Sequence, residues 1–289
     1  MNPTNNVRER VAGNTVDILL SQVLPIENPK SYKLHLACEN EFSDKPLDVF
    51  VRSRTEWDGW NRWRGNRDDF SRDFVFSLIE FYPEKDRWLF GGAYRVLSRE
   101  AVNKSESYKI ELLESSSSLI GRLKIALKRP GRIRALNLDN HYENLVVSEI
   151  LPATYTGESF LGYEKIDIPF PMLESIFAIQ RPDWKAALEN VKGVYLITDC
   201  HNGKRYIGSA YGDTGIWSRW SCYVETGHGY NDVLTEIMAT HGIDYARKNF
   251  RFVLLEYAPM KTADYVIITR EGYWKTALLT RGQYGYNKN

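Results

Sequence analysis

Two tyrosines, an arginine and a glutamate in the last third of the chain have the types and spacing that chemistry would need. Gly193-Val194-Tyr195 precedes Tyr206-Ile207-Gly208, with eleven positions from tyrosine to tyrosine and Cys200-His201-Asn202-Gly203 between them. The Asn-Gly pair predicts a hairpin, and side chains alternate faces along its strands. A two-residue turn at Asn202-Gly203 would pair Asp199 with Tyr206 and leave the tyrosines roughly 13 Å apart along the strand. A four-residue loop, Asp199 to Asn202, would set Tyr195 directly opposite Tyr206. Both registers put the two rings on one face, and joint chemistry favours the second. Asp213 or Thr214 can cap a following helix, on which Arg219 and Tyr223, four apart, share a face. Arg219 is planar, always charged and suited to two phosphate oxygens at once. A last helix is predicted from about Thr262 to Leu279, with Ile267, Ile268, Trp274 and Leu278 as its inner stripe. Glu271 falls on that stripe. A carboxylate there is costly unless a cation or hydrogen bonds compensate, and a structural salt bridge would also serve.

Taken together, these elements resemble the GIY-YIG nuclease superfamily over about residues 192–289. The matching residues are GVY at 193–195, YIG at 206–208, Arg219 with Tyr223 four later, Glu271 on a helix and Asn287 near the end. The longer stretches YIGSAYGDTGIWSRW, TGHGYN and REGYWK resemble a bacterial branch that carries an extra N-terminal domain. Val194 replaces the eponymous isoleucine, another β-branched residue, and Tyr223 stands where some branches have histidine.

The resemblance implies an α+β fold whose C-terminal part is a small antiparallel sheet flanked by helices. It also implies metal-dependent hydrolysis of phosphodiester bonds in double-stranded DNA by Tyr195, Tyr206, Arg219, Tyr223, Glu271 and Asn287. Tyr195 would be the base. A free tyrosine has a pKa near 10, so its phenolate must be favoured by nearby cations or donors; Arg219, Tyr206 and the metal would supply these. Glu271 would hold one Mg²⁺, or Mn²⁺, per active site. That is sparse ligation, but Mg²⁺ keeps most of its waters and would serve as a Lewis acid. Asn287 would orient the phosphate or buttress the site. The expected role is a restriction-type endonuclease whose N-terminal domain reads DNA, modified bases included. The alternatives are a repair or mobile-element nuclease, or a DNA-binding module with an inactive nuclease fold. One site with one metal cuts one strand in one pose, so cutting both predicts a homodimer, formed on DNA.

Further residues have two readings each. Lys204 and Arg205, just before the second tyrosine, fit DNA backbone contact or a solvated strand edge. His228 fits a proton shuttle or a solvated loop. Tyr211 would pack beneath the helix. The stretch Gly121 to Leu136 holds six basic residues and no acidic ones and reads as a basic hairpin around Pro130-Gly131. Its Lys128, Arg129, Arg132 and Arg134 suit phosphate contact or a charged edge that resists aggregation. Trp57, Trp60 and Trp63 repeat at three-residue spacing, as a helical core stripe or an aromatic cage.

The rest of the chain must position these residues. Residues 1–30 read as a tail, disordered to about residue 14, then a short helix through Val16, Ile18, Leu19, Leu20, Val23 and Leu24 that stops before Pro25. Residues 31–170 read as a β-rich, DNA-recognition domain with the runs LDVFV, DFVFSLIEFY, RWLFGGAYRVL, SYKIELLE, LIGRLKIAL and ENLVVSEIL. Strands at this spacing suggest a compact barrel or strongly curved sheet, and Trp88 to Val96 faintly resembles a strand of PUA-like barrels. Residues 171–191 read as a connecting helix, Leu173 to Val191, broken near Pro182. The net charge of +1 over 289 residues requires any nucleic-acid site to come from local clustering. Three cysteines with no CxxC pair argue against a zinc site or disulfide framework. The polar start MNPTNNVRERVAGN and the lack of a run of about 18 apolar residues predict no membrane span and a cytoplasmic location. Aromatic residues make up 13%, enough for large sheet cores and for stacking on bases.

Overall fold

The computed structural model describes residues 17–41 and 44–288. The expected disordered start, and Val16 of the expected first helix, lie outside the described residues. The chain divides into two compact units.

The first unit comprises the described part of Met1–Leu36 with Asp68–Ser98 and Ile110–Ala153. Runs of alternating and continuous apolar residues build its sheet: β1 (Ile18–Leu19), β2 (Tyr32–Ala37), β3 (Phe74–Glu80), β4 (Arg87–Arg99), β5 (Tyr108–Leu112), β6 (Leu123–Ala126), β7 (Ala135–Asn137) and β8 (Val146–Ile150). The order is β1-β8-β6-β4-β3-β2-β7, with β5 on β4. Among the described residues this path has two ends and a branch, and it does not show the expected PUA-like barrel. Both faces of β3 and of the first half of β4 are buried, which is why those runs are almost continuously apolar. A single turn of helix, α1 (Leu20–Val23), follows β1 and ends before Pro25.

The Gly121 to Leu136 stretch is not a hairpin. β6 pairs with β4 and β8, and β7 pairs with β2 at the far end of the path. Its cations serve different ends. Lys124 is buried between Glu84 and Glu149, and Arg122 donates to the carbonyls of Leu151 and Ser118 at 2.9 and 3.1 Å.

The second unit comprises Ala37–Arg67, Arg99–Lys109 and Thr154–Asn289, of which the last residue is not described. The continuous block expected over 31–170 is thereby divided, since two of its stretches and everything after Ala153 group with the C-terminal third. The run LDVFV, expected as a strand, is helical: α2 (Pro46–Arg52) begins with proline at its first turn and is followed by α3 (Arg54–Arg62). A five-residue apolar run carries no period of its own, whereas Pro46 has the fixed φ that a helix start needs. Trp57 on α3 is buried at 1% exposure while Trp63 is 41% exposed, so the tryptophan stripe is part core and part surface.

The segment from Phe170 to Leu188 contributes Phe170, Leu173, Ile176, Trp184 and Leu188 to the core of this unit. It forms α4 (Phe170–Ala178) and α5 (Pro182–Leu188), broken at Pro182 as expected, with Gln180 at φ 45° between them. Glu174 of α4 is buried. Arg247 clasps its carboxylate through Nε and Nη2 at 2.9–3.1 Å, and Arg52 adds a further contact at 3.2 Å. A buried carboxylate persists only with such compensation.

The sheet of this unit is antiparallel, in the order β11-β10-β12-β9: β9 (Asp167–Pro169), β10 (Val191–Asp199), β11 (Arg205–Ala210) and β12 (Phe250–Pro259). Helices α6 (Gly215–Thr226), α7 (Asp232–His241) and α8 (Ile243–Asn249) lie between β11 and β12 in sequence, and α9 (Asp264–Ala277) follows β12. Alternate residues of the hairpin serve two cores. Tyr195, Ile197 and Tyr206 join Trp220, Tyr223 and Phe252, while Val194 and Ile207 pack with Ile267 and Trp274 of α9. Each fully buried large side chain contributes roughly 1.5–3 kcal/mol, so both layers hold the hairpin flat between helices.

Candidate active site

The hairpin adopts neither expected register. Tyr206 lies opposite Ile197, and Tyr195 lies opposite Gly208. The loop makes the difference. The Asp199 N–H donates to the Lys204 carbonyl at 2.9 Å, and the Gly203 N–H to the Asp199 carbonyl at 2.8 Å. Asp199 is fully buried, and its carboxylate accepts from the His201 N–H, the Tyr245 hydroxyl and the Tyr286 hydroxyl at 2.9, 2.8 and 2.6 Å. These partners hold a longer loop than a two-residue turn, and the strands are shifted by two residues from each expectation. The tyrosines still share a face.

The two signature glycines are steric requirements. A side chain at Gly193 would meet the Glu256 carbonyl at 2.3 Å, beside the bulge between Val194 and Tyr195 where β10 meets β12. At Gly208 it would meet the Tyr195 hydroxyl at 2.4 Å. The Tyr195 ring therefore crosses the bare strand and reaches α6.

There Arg219 donates through Nε to the Tyr195 hydroxyl at 2.9 Å and through Nη2 to the Tyr223 hydroxyl at 3.2 Å. The two phenols are themselves 3.1 Å apart. Arg219 and Tyr223 share a face of α6 as their spacing predicts, and Thr214 is the residue that precedes the helix. Burial pushes both phenols above the ordinary tyrosine value; Arg219 offsets this only in part. Burial also opposes the Arg219 charge, but Tyr195 and Tyr223 outweigh it and raise its pKa. The triad is thus a neutral phenol pair gripping a permanently charged guanidinium.

An open cleft of about 420 Å³ lies over this group, lined among others by Tyr206, Ser209, Tyr211, Arg219 and Glu271. Tyr195, the expected base, is fully buried and is not among the lining residues. Tyr206 is. Tyr211, expected beneath the helix, is 50% exposed and opens on the cleft.

Glu271 reaches the cleft from α9, on a stripe formed by Ile267, Trp274 and Leu278. Ile268, expected on that stripe, is 47% exposed. Lys192 anchors the start of α9 by bonding Asp264 at 2.6 Å, and Glu256 receives both Arg270 and the Trp274 Nε1–H, the latter at 2.8 Å. The Glu271 carboxylate accepts from the Ser209 hydroxyl and pairs with Lys275 at 2.7 Å. Sequence reasoning missed Ser209 and Lys275, although Lys275 is four positions from Glu271 and that spacing is a known helical pair.

Among the described residues, no group of three or more His, Cys, Asp or Glu could hold a metal ion. The donor set is one carboxylate with a hydroxyl beside it, at an open cleft. Such a set fits Mg²⁺ or Mn²⁺ that keeps most of its waters, with the Lys275 ammonium displaced, and does not fit an ion that needs a full protein cage.

Asn287 is 4% exposed. Its Oδ1 accepts from the Ile207 N–H at 2.9 Å and its Nδ2 donates to the Ile207 carbonyl at 2.8 Å. The side chain thus stands in for a further strand along the edge of β11, continued by Tyr286, whose N–H donates to the Arg205 carbonyl at 2.8 Å. The amide uses one donor and one acceptor on Ile207, which gives the buttressing role a geometric basis.

No family model matches this chain, and no curated protein does. Part of the chain is similar to the catalytic domain of the homing endonuclease I-TevI. Two solved structures of that domain, one of them a mutant described as from an intron endonuclease, are 31% and 27% identical to this chain. The matches cover 34% of this chain and 98% and 94% of those chains, with TM-scores of 0.26 and 0.27.

Beside the I-TevI likeness, the remaining expected residues scatter. His228 accepts from the Tyr230 N–H and pairs with the Thr235 hydroxyl, both at 3.0 Å, in the turn between α6 and α7; that turn is not part of the cleft lining. Lys204 lies 5.8 Å over the Tyr286 ring, and Arg205 is exposed on edge strand β11. In the first unit, Lys128 and Arg132 are exposed, Arg129 donates to the Ile133 carbonyl at 3.3 Å, and Arg134 faces Asp69 at 3.5 Å. No helix among the described residues is long and apolar enough to cross a membrane.

Proposed function

We propose that the second unit hydrolyses phosphodiester bonds in double-stranded DNA with Mg²⁺ or Mn²⁺, and that the first unit reads the DNA, modified bases included, as in a restriction-type endonuclease. One observation supports this above the rest: Arg219, Tyr206 and Glu271, from three different elements, line the same cleft. That set supplies charge for a phosphate, a phenol for a proton and a ligand for a hard cation.

In this reading Arg219 binds the scissile phosphate and meets the charge that grows in the transition state. Tyr195 and Tyr223 stay neutral and hold the guanidinium from behind. Tyr206, which faces the cleft, hydrogen-bonds the attacking water and orients it while its proton passes to solvent; the family resemblance implies Tyr195 as the base. Glu271 holds the metal, which would polarise the scissile group and its leaving oxygen, while Ser209 orients the carboxylate. A homodimer formed on DNA would present two such sites to opposite strands.

The test is plasmid nicking with Mg²⁺. Glu271→Ala and EDTA should each abolish it while leaving the fold and most DNA affinity intact, and Arg219→Ala should slow single-turnover cleavage far more than it weakens binding. Full activity in Glu271→Ala would overturn the assignment. DNA binding with no cleavage by the wild-type chain under any metal would favour a binding module on an inactive nuclease fold.

A further inference from the structure

The first unit contains a cavity of about 480 Å³ that no part of the cleavage chemistry uses. Its size lies in the range that holds a small ligand, about 300–1,000 Å³. The inner wall is aromatic. Phe74 and Phe76 are two apart on β3 and share a face, and Tyr32 stacks on Phe74 with centroids 4.7 Å apart and planes at 21°. Ala93 lies opposite Phe76 in the ladder, so a small side chain leaves depth where most residues would fill it.

The rim is polar. Glu27 is exposed at the mouth, and Asn28 donates to the Ser31 hydroxyl at 2.8 Å. Arg95 pairs with Phe74 across the ladder, is exposed, and holds its guanidinium 5.8 Å from the Phe74 ring. An aromatic wall and a carboxylate at the mouth, with a cation over the Phe74 ring, lie within one unit.

We propose that this cavity receives a single nucleobase turned out of a DNA duplex, one that carries an exocyclic amine: cytosine or adenine. The partly exposed Phe74 and Tyr32 rings offer a π-face on which a base stacks. The Glu27 carboxylate accepts from the amine of cytosine N4 or adenine N6, whereas the carbonyl that thymine presents at that place gives it no donor. Arg95 meets a flanking phosphate, which fixes position without reading sequence. The proposal rests on the reading of this chain as a protein that acts on DNA, and it names the group that the first unit reads.

The experiment uses the full-length chain carrying Glu271→Gln, to prevent cleavage, and duplexes with one mispaired cytosine, one mispaired thymine or none. A mispair lowers the cost of extrusion. At one fixed salt concentration, the mispaired-cytosine duplex should bind on the order of fivefold tighter than the other two. Glu27→Ala and Phe74→Ala should each remove that preference while affinity for the paired duplex stays within about twofold. Glu27 is exposed, so its variant keeps the fold even if Phe74→Ala does not. Binding of all three duplexes with equal affinity, or a preference that survives Glu27→Ala, would overturn the pocket alone. The nuclease reading fails separately, when the wild-type chain leaves every duplex uncut. Binding to no duplex would overturn both.

Discussion

Gly208 lies directly across the strand ladder from Tyr195, and the Tyr195 hydroxyl occupies the space that a side chain at 208 would need. The two signature elements of the hairpin are therefore a single device. One supplies a phenol, the other the gap through which it reaches Arg219.

Gly208→Ala should accordingly disable the site even though alanine suits a strand. The new methyl would meet the Tyr195 ring and hydroxyl at 2.4–2.8 Å, and overpacking of this kind costs about 1–3 kcal/mol. Urea unfolding should show that loss, and the displaced Arg219 should slow nicking by about two orders of magnitude or more. A variant with wild-type activity would mean that the Tyr195–Arg219 contact is dispensable.

Asn287→Ala should destabilise the chain by about 1–3 kcal/mol, because it leaves the buried Ile207 N–H and carbonyl without a partner. Amide exchange at Ile207 should accelerate, and activity should fall together with stability. Loss of activity with unchanged exchange at Ile207 would restore a direct contact between Asn287 and substrate.

Stability should decline in alkali. Burial raises Tyr195 and Tyr223 above the unfolded value near 10. Burial and Asp199 likewise push Tyr245 up to about 12. Between the unfolded and folded values the native chain holds more protons than the unfolded one, so stability falls as pH rises. The contribution is complete below about pH 10 and is lost as pH climbs through the folded values. Urea midpoints at pH 8, 10 and 11 should decrease in that order, and Tyr245→Phe should flatten the decline. A midpoint that does not move up to pH 11 would contradict the buried placement of these phenols.

The basic stretch divides into cations that hold the fold and cations that face solvent. Replacing the exposed Lys128 and Arg132 with alanine should reduce the slope of log affinity against log salt by about 1.8, two phosphate contacts' worth. Arg122 and Lys124, bonded within the first unit, should show up in stability measurements. An unchanged slope would remove the stretch from any DNA contact.

Much of the candidate site can be read along the chain because its signals are local. The spacing of Arg219 and Tyr223 puts them on one helical face whatever surrounds the helix. Alternation puts Tyr195 and Tyr206 on one face of a hairpin in either register, and Glu271 falls beside Trp274 by helical period alone. The break at Pro182 follows from the missing N–H and fixed φ of proline. What depends on partners distant in sequence was not legible. The register was decided by Asp199, whose buried carboxylate gathers hydroxyls from Tyr245 and Tyr286. The role of Asn287 was decided by the unpaired edge of β11, which no pattern at position 287 reveals. LDVFV became a helix because Pro46 and the Glu174–Arg52 pair outweigh a short apolar run, and the basic stretch opened because β6 and β7 each found other neighbours. Periodicity along the chain sets which way a side chain points. Which buried polar group it meets is decided only when strands and helices far apart in sequence compete for the same hydrogen bonds.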